Sequence, residues 1–467
     1  RAVPDIAGVI EGLGHHSVAT RVYSLLITDL VPGNRRVEFD ELMERMLGVV
    51  ERARVDSTRT LEERVKELEA GQGKQETDKT EAEVMLSTLL LQQMGLDGES
   101  LRLNLSGRSL GSVGFKSLSA SLPNLPSLLE LHLAGNQAGW SGAEALSHGL
   151  SRLHRLEILD LSDNTIGDIG LDKLAPSLTC HSLHTLNLEY NDIGVQGVTS
   201  LAARLSSLPR LTDLNLGLNS FGPQGAFALS DGLRHLRTLR CLALHGNRIG
   251  PQGCIALCAA VPYFSESLDT LRISANTIGH DGTTCLAAVL PTLSRLSTLD
   301  LGYNGVGPHG ALQLSSSLGK VSCLVHLDLQ SNMLGRDGVA SVAIAIRRLP
   351  LLRTLILSHN GMLQDGATPL AQCLRFLPNL EHLEVQGNGL GDVGATTLAA
   401  SLHHAAQLKV LDVSENDIQT AGMAALRQAV PQKLAAVSQP TPAQSATALD
   451  PNTSGFVFGP GPSNLQS

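Results

Sequence analysis

An asparagine returns at almost constant spacing through most of the chain, and this period constrains the fold more than any other feature. The asparagines are Asn136, Asn164, Asn191, Asn219, Asn247, Asn276, Asn304, Asn332, Asn360, Asn388 and Asn416. The steps between neighbours are 28 residues, with one step of 27 and one of 29. Arg108 occupies the same slot in a first, imperfect copy. A fixed period of this length indicates stacked repeats, each packed against its neighbours, and not a single globular core.

The repeating unit predicts one strand and one helix. Residues 156–170 read L-x-x-L-x-L-x-x-N-x-I-x-x-x-G. In a strand over the L-x-L part, the leucines point inward and the x positions point outward. The asparagine is expected to bond backbone groups where the chain leaves the strand. The glycine, such as Gly170 or Gly197, is expected just before a helical run such as residues 198–205. Trp140 is expected in the loop between strand and helix of the second repeat.

The unit length, the N-x-I/L-x-x-x-G spacing and the full helix resemble the ribonuclease-inhibitor-like subfamily of leucine-rich repeats. That subfamily includes ribonuclease inhibitor, the repeat domains of NOD-like receptors and Ran GTPase-activating protein. The resemblance covers about 330 residues. It implies an α/β horseshoe solenoid of about 12 strand–helix repeats, with a parallel concave sheet and convex helices. It implies little about function, because these relatives use one scaffold for unrelated purposes.

Two segments flank the repeat domain, which is predicted over residues 98–431. Residues 1–97 predict a small helical segment. Residues 30–41 resemble a degenerate EF-hand loop that lacks most early oxygen ligands. Thr80 and Glu83 form a capping box that opens a helix. This helix is expected to cap the first repeat, and the alternative is a docking helix for a partner. Residues 432–467 are rich in Ser, Pro, Ala and Gly, which predicts a disordered tail.

The outward strand positions are the first place to look for a binding surface. They are mildly acidic, and a candidate cluster lies on adjacent strands near the middle of the array. It consists of Glu189, Tyr190, Leu218, His245, Arg272, Asp300 and Tyr303. Aromatic residues and arginine are common anchors of protein interfaces. The alternative is an ordinary solvated sheet face. A basic strip on the helices and return loops, including Arg234, Arg347 and Arg375, is expected to be a solvated face. The alternative is a convex surface that meets an acidic partner or a polyanion.

Composition narrows the partners. The net charge is −9, which disfavours nucleic acid as the default partner. No apolar run reaches the roughly 18 residues of a membrane span. All seven cysteines lie inside the repeats, in small or apolar slots of the pattern, and are expected to be buried thiols. This favours an intracellular, reducing compartment, with the cytoplasm first and a cilium or organelle left open. Cys254 and Cys258 are expected to pack one helical turn apart without holding zinc.

No catalytic motif is present, and no cofactor, metal or small-molecule substrate is predicted. The leading hypothesis is a non-enzymatic scaffold, or a structural subunit of a larger intracellular assembly, that binds protein partners through its repeat surface or terminal segments. One alternative is a GTPase regulator resembling Ran GTPase-activating protein. Against it, no long acidic run follows the repeats. Another is a ligand-sensing region resembling that of NOD-like receptors, but residues 1–97 are too short for a nucleotide-binding domain.

Overall fold

The structure, a computed structural model, describes residues 101–429 and the strand Ala436–Val437. Short strands form one parallel sheet in which each strand pairs with the next in chain order. The strands are β1 (Arg102–Asn104), β2 (Glu130–His132), β3 (Ile158–Asp160), β4 (Thr185–Asn187), β5 (Asp213–Asn215), β6 (Cys241–Ala243), β7 (Thr270–Arg272), β8 (Thr298–Asp300), β9 (His326–Asp328), β10 (Thr354–Ile356), β11 (His382–Glu384), β12 (Val410–Asp412) and β13 (Ala436–Val437). The register is set by the period, since each central leucine from β1 to β12 pairs with the next, as Leu271 does with Leu299.

One helix follows each of the first 12 strands. The helices are α1 (Gly111–Ser121), α2 (Gly139–Leu150), α3 (Gly167–Leu174), α4 (Val195–Ala202), α5 (Gly222–Leu233), α6 (Gly250–Cys258), α7 (Gly279–Val289), α8 (Gly307–Leu318), α9 (Gly335–Ile346), α10 (Leu363–Cys373), α11 (Gly391–Ala399) and α12 (Thr420–Ala429). Successive helices pack side by side. Packed helices need about 8–10 Å and paired strands about 4.8 Å, so the sheet lines the inner, concave curve. The 12 strand–helix units are called repeats 1 to 12 below, and the predicted α/β solenoid is confirmed.

Leucines of the repeat build the core between sheet and helices. The central residue of each strand from β1 to β12 is buried, while its two neighbours point to the concave face and keep some exposure. Two exceptions, Ala243 and Asp328, are buried although they hold an outward position. The aromatic residues Phe115, Phe221 and Phe264 are also buried in this core. The alternation of the L-x-L pattern therefore determines which residues of each strand face the core and which face the concave surface.

The buried asparagines form a ladder that joins neighbouring repeats. The side-chain Nδ2 of Asn304 donates to the carbonyl of Ile273 in the preceding repeat at 2.9 Å and to that of Leu301 at 3.0 Å. Its Oδ1 accepts a hydrogen bond from the backbone N–H of Asn276 at 3.0 Å. The same set recurs at Asn332, with the same three kinds of partner. The predicted role of the asparagine slot is thus confirmed, because it pairs backbone groups that would otherwise be buried and unpaired.

The predicted position of the glycine after the turn is wrong, for a reason that concerns packing. Gly170 lies inside the first turn of α3 and not before the helix. A Cβ added at Gly170 would lie 2.9 Å from the Cα of Trp140 in the preceding helix. At Gly253 it would lie 3.0 Å from the Cα of Pro223. The glycine is therefore required where consecutive helices approach most closely, and the left-handed glycine that opens most helices stands three residues earlier, as Gly167 does.

Two helices are capped by an aspartate from the preceding repeat. Asp168 Oδ1 accepts hydrogen bonds from the backbone N–H groups of Gly194 at 2.7 Å and Gly197 at 2.8 Å, at the start of α4. Asp392 Oδ1 does the same for Gln419 and Gly422 at the start of α12, both at 2.8 Å. Residues 194 and 419 are places where the left-handed glycine is absent. The aspartates therefore satisfy helix N–H groups that lack the usual entry turn.

Other predictions had mixed outcomes. Trp140 was predicted in a loop, but it is the second residue of α2 and is half exposed, because that helix begins at Gly139. All seven cysteines are free thiols, of which four are buried and three are partly exposed.

Ala436–Val437 pairs with β12 although these two residues lie in the range assigned to the tail. The predicted N-terminal helices, the EF-hand-like loop and the remainder of the tail lie outside the described residues. None of the described helices is long and apolar enough to cross a membrane.

Candidate functional site

The centre of the concave face carries a hydrogen-bonded network across three strands. Glu189, just after β4, accepts a hydrogen bond from Asn215 Nδ2 of β5 at 2.8 Å. Its Oε1 lies 3.0 Å from His245 Nε2, which follows β6. These contacts, chiefly the one with His245, lower the pKa of the Glu189 carboxyl, with burial acting in the opposite direction. Glu189 and His245 were both predicted, and the structure brings them together over a distance of two repeats.

A glycine makes this network possible. The imidazole of His245 lies over Gly217, where an added Cβ would come 2.1 Å from the ring. Any larger residue at position 217 would push the ring away from Glu189. The Nδ1 atom of His245 is buried and has no hydrogen-bond partner. Asn215 occupies an outward strand position of the L-x-L pattern but is not a member of the predicted cluster. Nothing in the sequence marks Gly217 as part of the site.

Arg272 and Asp300 continue the polar floor toward β8. Arg272 is exposed at the end of β7, and its charge helps to lower the pKa of Glu189. Asp300 Oδ2 accepts a hydrogen bond from the Ser274 hydroxyl at 2.8 Å, and its Oδ1 accepts one from the Gly302 N–H. The floor therefore presents a cation between two carboxylates that are already hydrogen-bonded. Such a surface can pair with polar groups of a partner without rearranging.

The three remaining candidates, Tyr190, Leu218 and Tyr303, stand at the rim of the sheet. Each follows its strand at a left-handed turn position, with φ of 53°, 52° and 56°. Tyr190 is 52% exposed, Leu218 39% and Tyr303 51%. Gly246 and Ala275 occupy the same turn position in the two repeats between Leu218 and Tyr303. The rim is therefore a shallow saddle, with apolar side chains on both sides and small residues between them.

The sequence analysis missed a buried acid further along the same face. Asp328 of β9 is only 7% exposed, and burial raises the pKa of its carboxyl to about 7. Hydrogen bonds from Gln330 oppose that rise, while the nearby carboxylates of Asp300 and Glu384 add to it. The column of outward acids was visible in the sequence. The burial of this one member was not, since it depends on how neighbouring side chains cover it.

Metal-binding chemistry has no support within the part of the chain that the structure describes. No group of three or more His, Cys, Asp or Glu side chains there could hold a metal ion. Cys254 and Cys258 lie one turn apart on α6 as predicted, and both are buried. A hydrogen bond with Cys254, followed by burial, raises the pKa of the Cys258 thiol. A thiol in this state stays protonated and is a poor nucleophile.

Comparisons with known proteins identify leucine-rich repeats in this chain. Six segments match a family model described as Leucine Rich repeat: residues 153–175, 179–202, 208–230, 235–258, 376–399 and 405–426. The fold is similar to that in the crystal structure of the Rad7 and Elc1 complex from yeast. That match has 16% identity and a TM-score of 0.50, and it covers 86% of this chain and 98% of that one.

A second structure is an internalin from Listeria monocytogenes str. 4b F2365. It has 21% identity and a TM-score of 0.47, with coverage of 75% of this chain and 89% of that one. No curated protein matches the sequence.

Proposed function

We propose that this chain, which belongs to the leucine-rich repeat family, is a non-enzymatic scaffold that binds a partner protein on its concave face. The binding residues would be Glu189, Tyr190, Leu218, His245, Arg272, Asp300 and Tyr303. The observation that carries the proposal is the saddle between Leu218 and Tyr303, with exposed apolar rims above an ordered polar floor. Central apolar anchors surrounded by polar groups are typical of protein interfaces.

The size of the saddle fits one secondary-structure element of a partner. Leu218 and Tyr303 are three repeats apart, which at about 4.8 Å per strand corresponds to about 14 Å. An α-helix with its side chains is about 10–12 Å wide. The Leu218 side chain leans over Gly246, where an added Cβ would lie 2.8 Å from its Cδ2. A helix or a single extended segment could therefore lie against Leu218, pass over Ala275 and contact Tyr303. Arg272, below, would pair with an acidic or carbonyl group of that segment.

A larger assembly and an intracellular location are parts of the same proposal. The seven free thiols support a reducing compartment. The yeast structure of similar fold is itself a complex of two proteins. Membership of a multi-subunit assembly would leave the concave face for one partner and the helices or the chain ends for others.

The test compares variants in affinity purification from native cells, with quantification of every co-purifying protein. Tyr190→Ala with Tyr303→Ala is expected to lose a defined subset of proteins by about tenfold or more, since buried aromatic anchors dominate interface energies. The matched control is Tyr263→Ala, because Tyr263 is also 47% exposed but lies in the return segment after α6.

If both variants retain the same partners as the wild type, the concave proposal is wrong. Acceleration of GTP hydrolysis by a small GTPase would instead contradict the non-enzymatic role and favour the alternative of a GTPase regulator.

A further inference from the structure

A cationic surface lies at the carboxyl ends of the helices in repeats 8 to 10, on the edge away from the concave face. Arg347, Arg375 and His403 occupy equivalent positions in three successive repeats, just after α9, α10 and α11. Arg348 follows Arg347, and Lys320 follows α8. The four segments 316–323, 344–351, 372–379 and 400–407 contain no Asp or Glu. This group, Lys320, Arg347, Arg348 and Arg375, is called the basic edge.

Aromatic stacking holds two of these cations in place. The guanidinium carbon of Arg347 lies 5.5 Å from the centre of the Phe376 ring, and that of Arg375 lies 4.7 Å from it. Phe376 remains 38% exposed. The stem of Arg348 crosses Gly319 of the preceding repeat, where an added Cβ would lie 3.1 Å from its Cδ. These contacts hold Arg347, Arg348 and Arg375 in place before any partner arrives, which lowers the entropic cost of binding.

These cations lack counter-charges. Within residues 101–429, neither Arg347, Arg348 nor Arg375 forms an ion pair with a carboxylate. The Nε atom of Arg347 is buried without a hydrogen-bond partner. A partly desolvated, unpaired guanidinium is costly in a folded protein and calls for an explanation. Arg353, farther along the same edge, does form an ion pair, with Glu381 at 2.7 Å.

Repeats 5 and 6 contain a natural counterpart. Arg234, in the same position as Arg347, lies 5.9 Å from the ring of Tyr263, which is equivalent to Phe376. There, however, Asp231 lies 3.5 Å from the guanidinium and supplies a carboxylate. In repeats 5 and 6, therefore, the arginine has both an aromatic ring and a carboxylate as neighbours. In repeats 9 and 10 the carboxylate is missing.

We propose that the basic edge binds an extended Asp/Glu-rich segment of a partner protein, independently of the concave site. Guanidinium groups hold carboxylates in paired hydrogen bonds with a geometry that lysine cannot match. Alternate side chains of an extended peptide are about 7 Å apart, close to the spacing of neighbouring helices. A protein segment fits better than nucleic acid, because the cationic strip is short and the chain as a whole carries a charge of −9.

The experiment measures fluorescence anisotropy at low salt with a fluorescein-labelled peptide, Ser-Glu-Ser-Glu-Ser-Glu-Ser, and the full chain. The double substitution Arg347→Gln with Arg375→Gln is expected to weaken peptide binding about tenfold or more. Added salt should weaken peptide binding by the wild-type chain. Phe376→Leu should weaken it less, by about threefold, because the cations remain but lose their support. The matched control Arg234→Gln should stay within about twofold. Unchanged urea midpoints establish that the variants are folded. If the double variant does not fold, Arg375→Gln alone is tested in its place, because Arg375 is at an exposed position.

Three results would overturn the proposal. One is no binding of the glutamate peptide beyond that of the same peptide with glutamine. Another is equal weakening by Arg234→Gln. The third is tighter binding of a labelled oligothymidylate than of the peptide, which would identify a nucleic-acid surface instead. Because Tyr190 and Tyr303 lie on the other face, their alanine variants should not affect this binding, so failure here leaves the concave proposal intact.

Discussion

Replacing Asn304 tests whether the asparagine ladder holds the repeats together. Its Nδ2 group has two protons and faces the carbonyls of Ile273, Leu301 and Gly302 at 2.9–3.2 Å. Its Oδ1 accepts from the N–H groups of Asn276 at 3.0 Å and Ile278 at 3.4 Å. Asn304→Ala therefore removes about four hydrogen bonds at a fully buried site. At about 1 kcal/mol for each, the free energy of unfolding should fall by about 4 kcal/mol.

A second substitution at the same position separates the donating from the accepting role. Asn304→Asp keeps an acceptor for the two N–H groups but places a second oxygen against three carbonyls. We expect it to be at least as destabilising as alanine at pH 7. It should be less so at pH 4, where a protonated carboxyl donates one hydrogen bond.

Urea unfolding followed by circular dichroism gives the free energies, and amide hydrogen exchange shows whether the loss is greatest in repeats 7 and 8. Gln313→Ala, at an exposed site on α8, is the control and should change stability by less than about 0.5 kcal/mol. A loss below about 1 kcal/mol for Asn304→Ala, or wild-type stability for Asn304→Asp at pH 7, would refute the ladder as the main link between repeats.

Three further predictions concern stability. Burial raises the pKa of Asp328 to about 7, so between about pH 4 and pH 7 the folded chain holds a proton that the unfolded chain has released. The stabilising effect of the neutral acid is thus complete below about pH 4 and lost as pH rises through 7. Asp328→Asn should raise the free energy of unfolding by up to about 4 kcal/mol at pH 8 and change it little at pH 4. Urea unfolding measures both values, and an equal effect of the substitution at the two pH values would contradict this prediction. Asp168→Ala removes the cap of α4 and should lower the free energy of unfolding by about 1 kcal/mol, with faster amide exchange in that helix; unchanged exchange would count against the cap. Gly232→Ala places a Cβ 2.5 Å from the Ala202 carbonyl oxygen, so the free energy of unfolding should fall by about 2 kcal/mol. Helix propensity alone predicts the opposite, a rise in the urea midpoint. Such a rise would show that α4 and α5 can move apart at no cost.

The fold could be predicted because the repeat states it many times. Most of the asparagines bind the same backbone groups as Asn304 and Asn332 do, so a single unit explains them. Asn247 is an exception, because its Oδ1 has no hydrogen-bond partner. The error over Gly170 has a local cause. The pattern shows where a glycine is needed but not whether φ or close packing requires it, and here the answer is the approach of α3 to α2.

The candidate site was less predictable. The period placed Glu189, His245 and Arg272 on the same face of the sheet, after β4, after β6 and in β7, because strands one repeat apart must be adjacent. It did not predict that His245 would reach across Gly217 to Glu189, nor that Asp328 would be buried. The basic strip was visible as scattered arginines, but the Phe376 ring shared by Arg347 and Arg375 and the unpartnered Nε atom of Arg347 are seen only in three dimensions.

The sequence by itself determined the stack: its period, the face of each strand residue, and the slots of leucine and asparagine. It could do so because these contacts repeat between identical positions about 28 residues apart, each set by backbone geometry. Only the tertiary structure decided what the variable positions do. Glu189 and His245 are 56 residues apart, and their contact depends on the absence of a side chain at Gly217. Nothing in the repeat constrains such pairs, because their meeting depends on the sizes and charges of unlike neighbours, and these are the positions where a partner would be recognised.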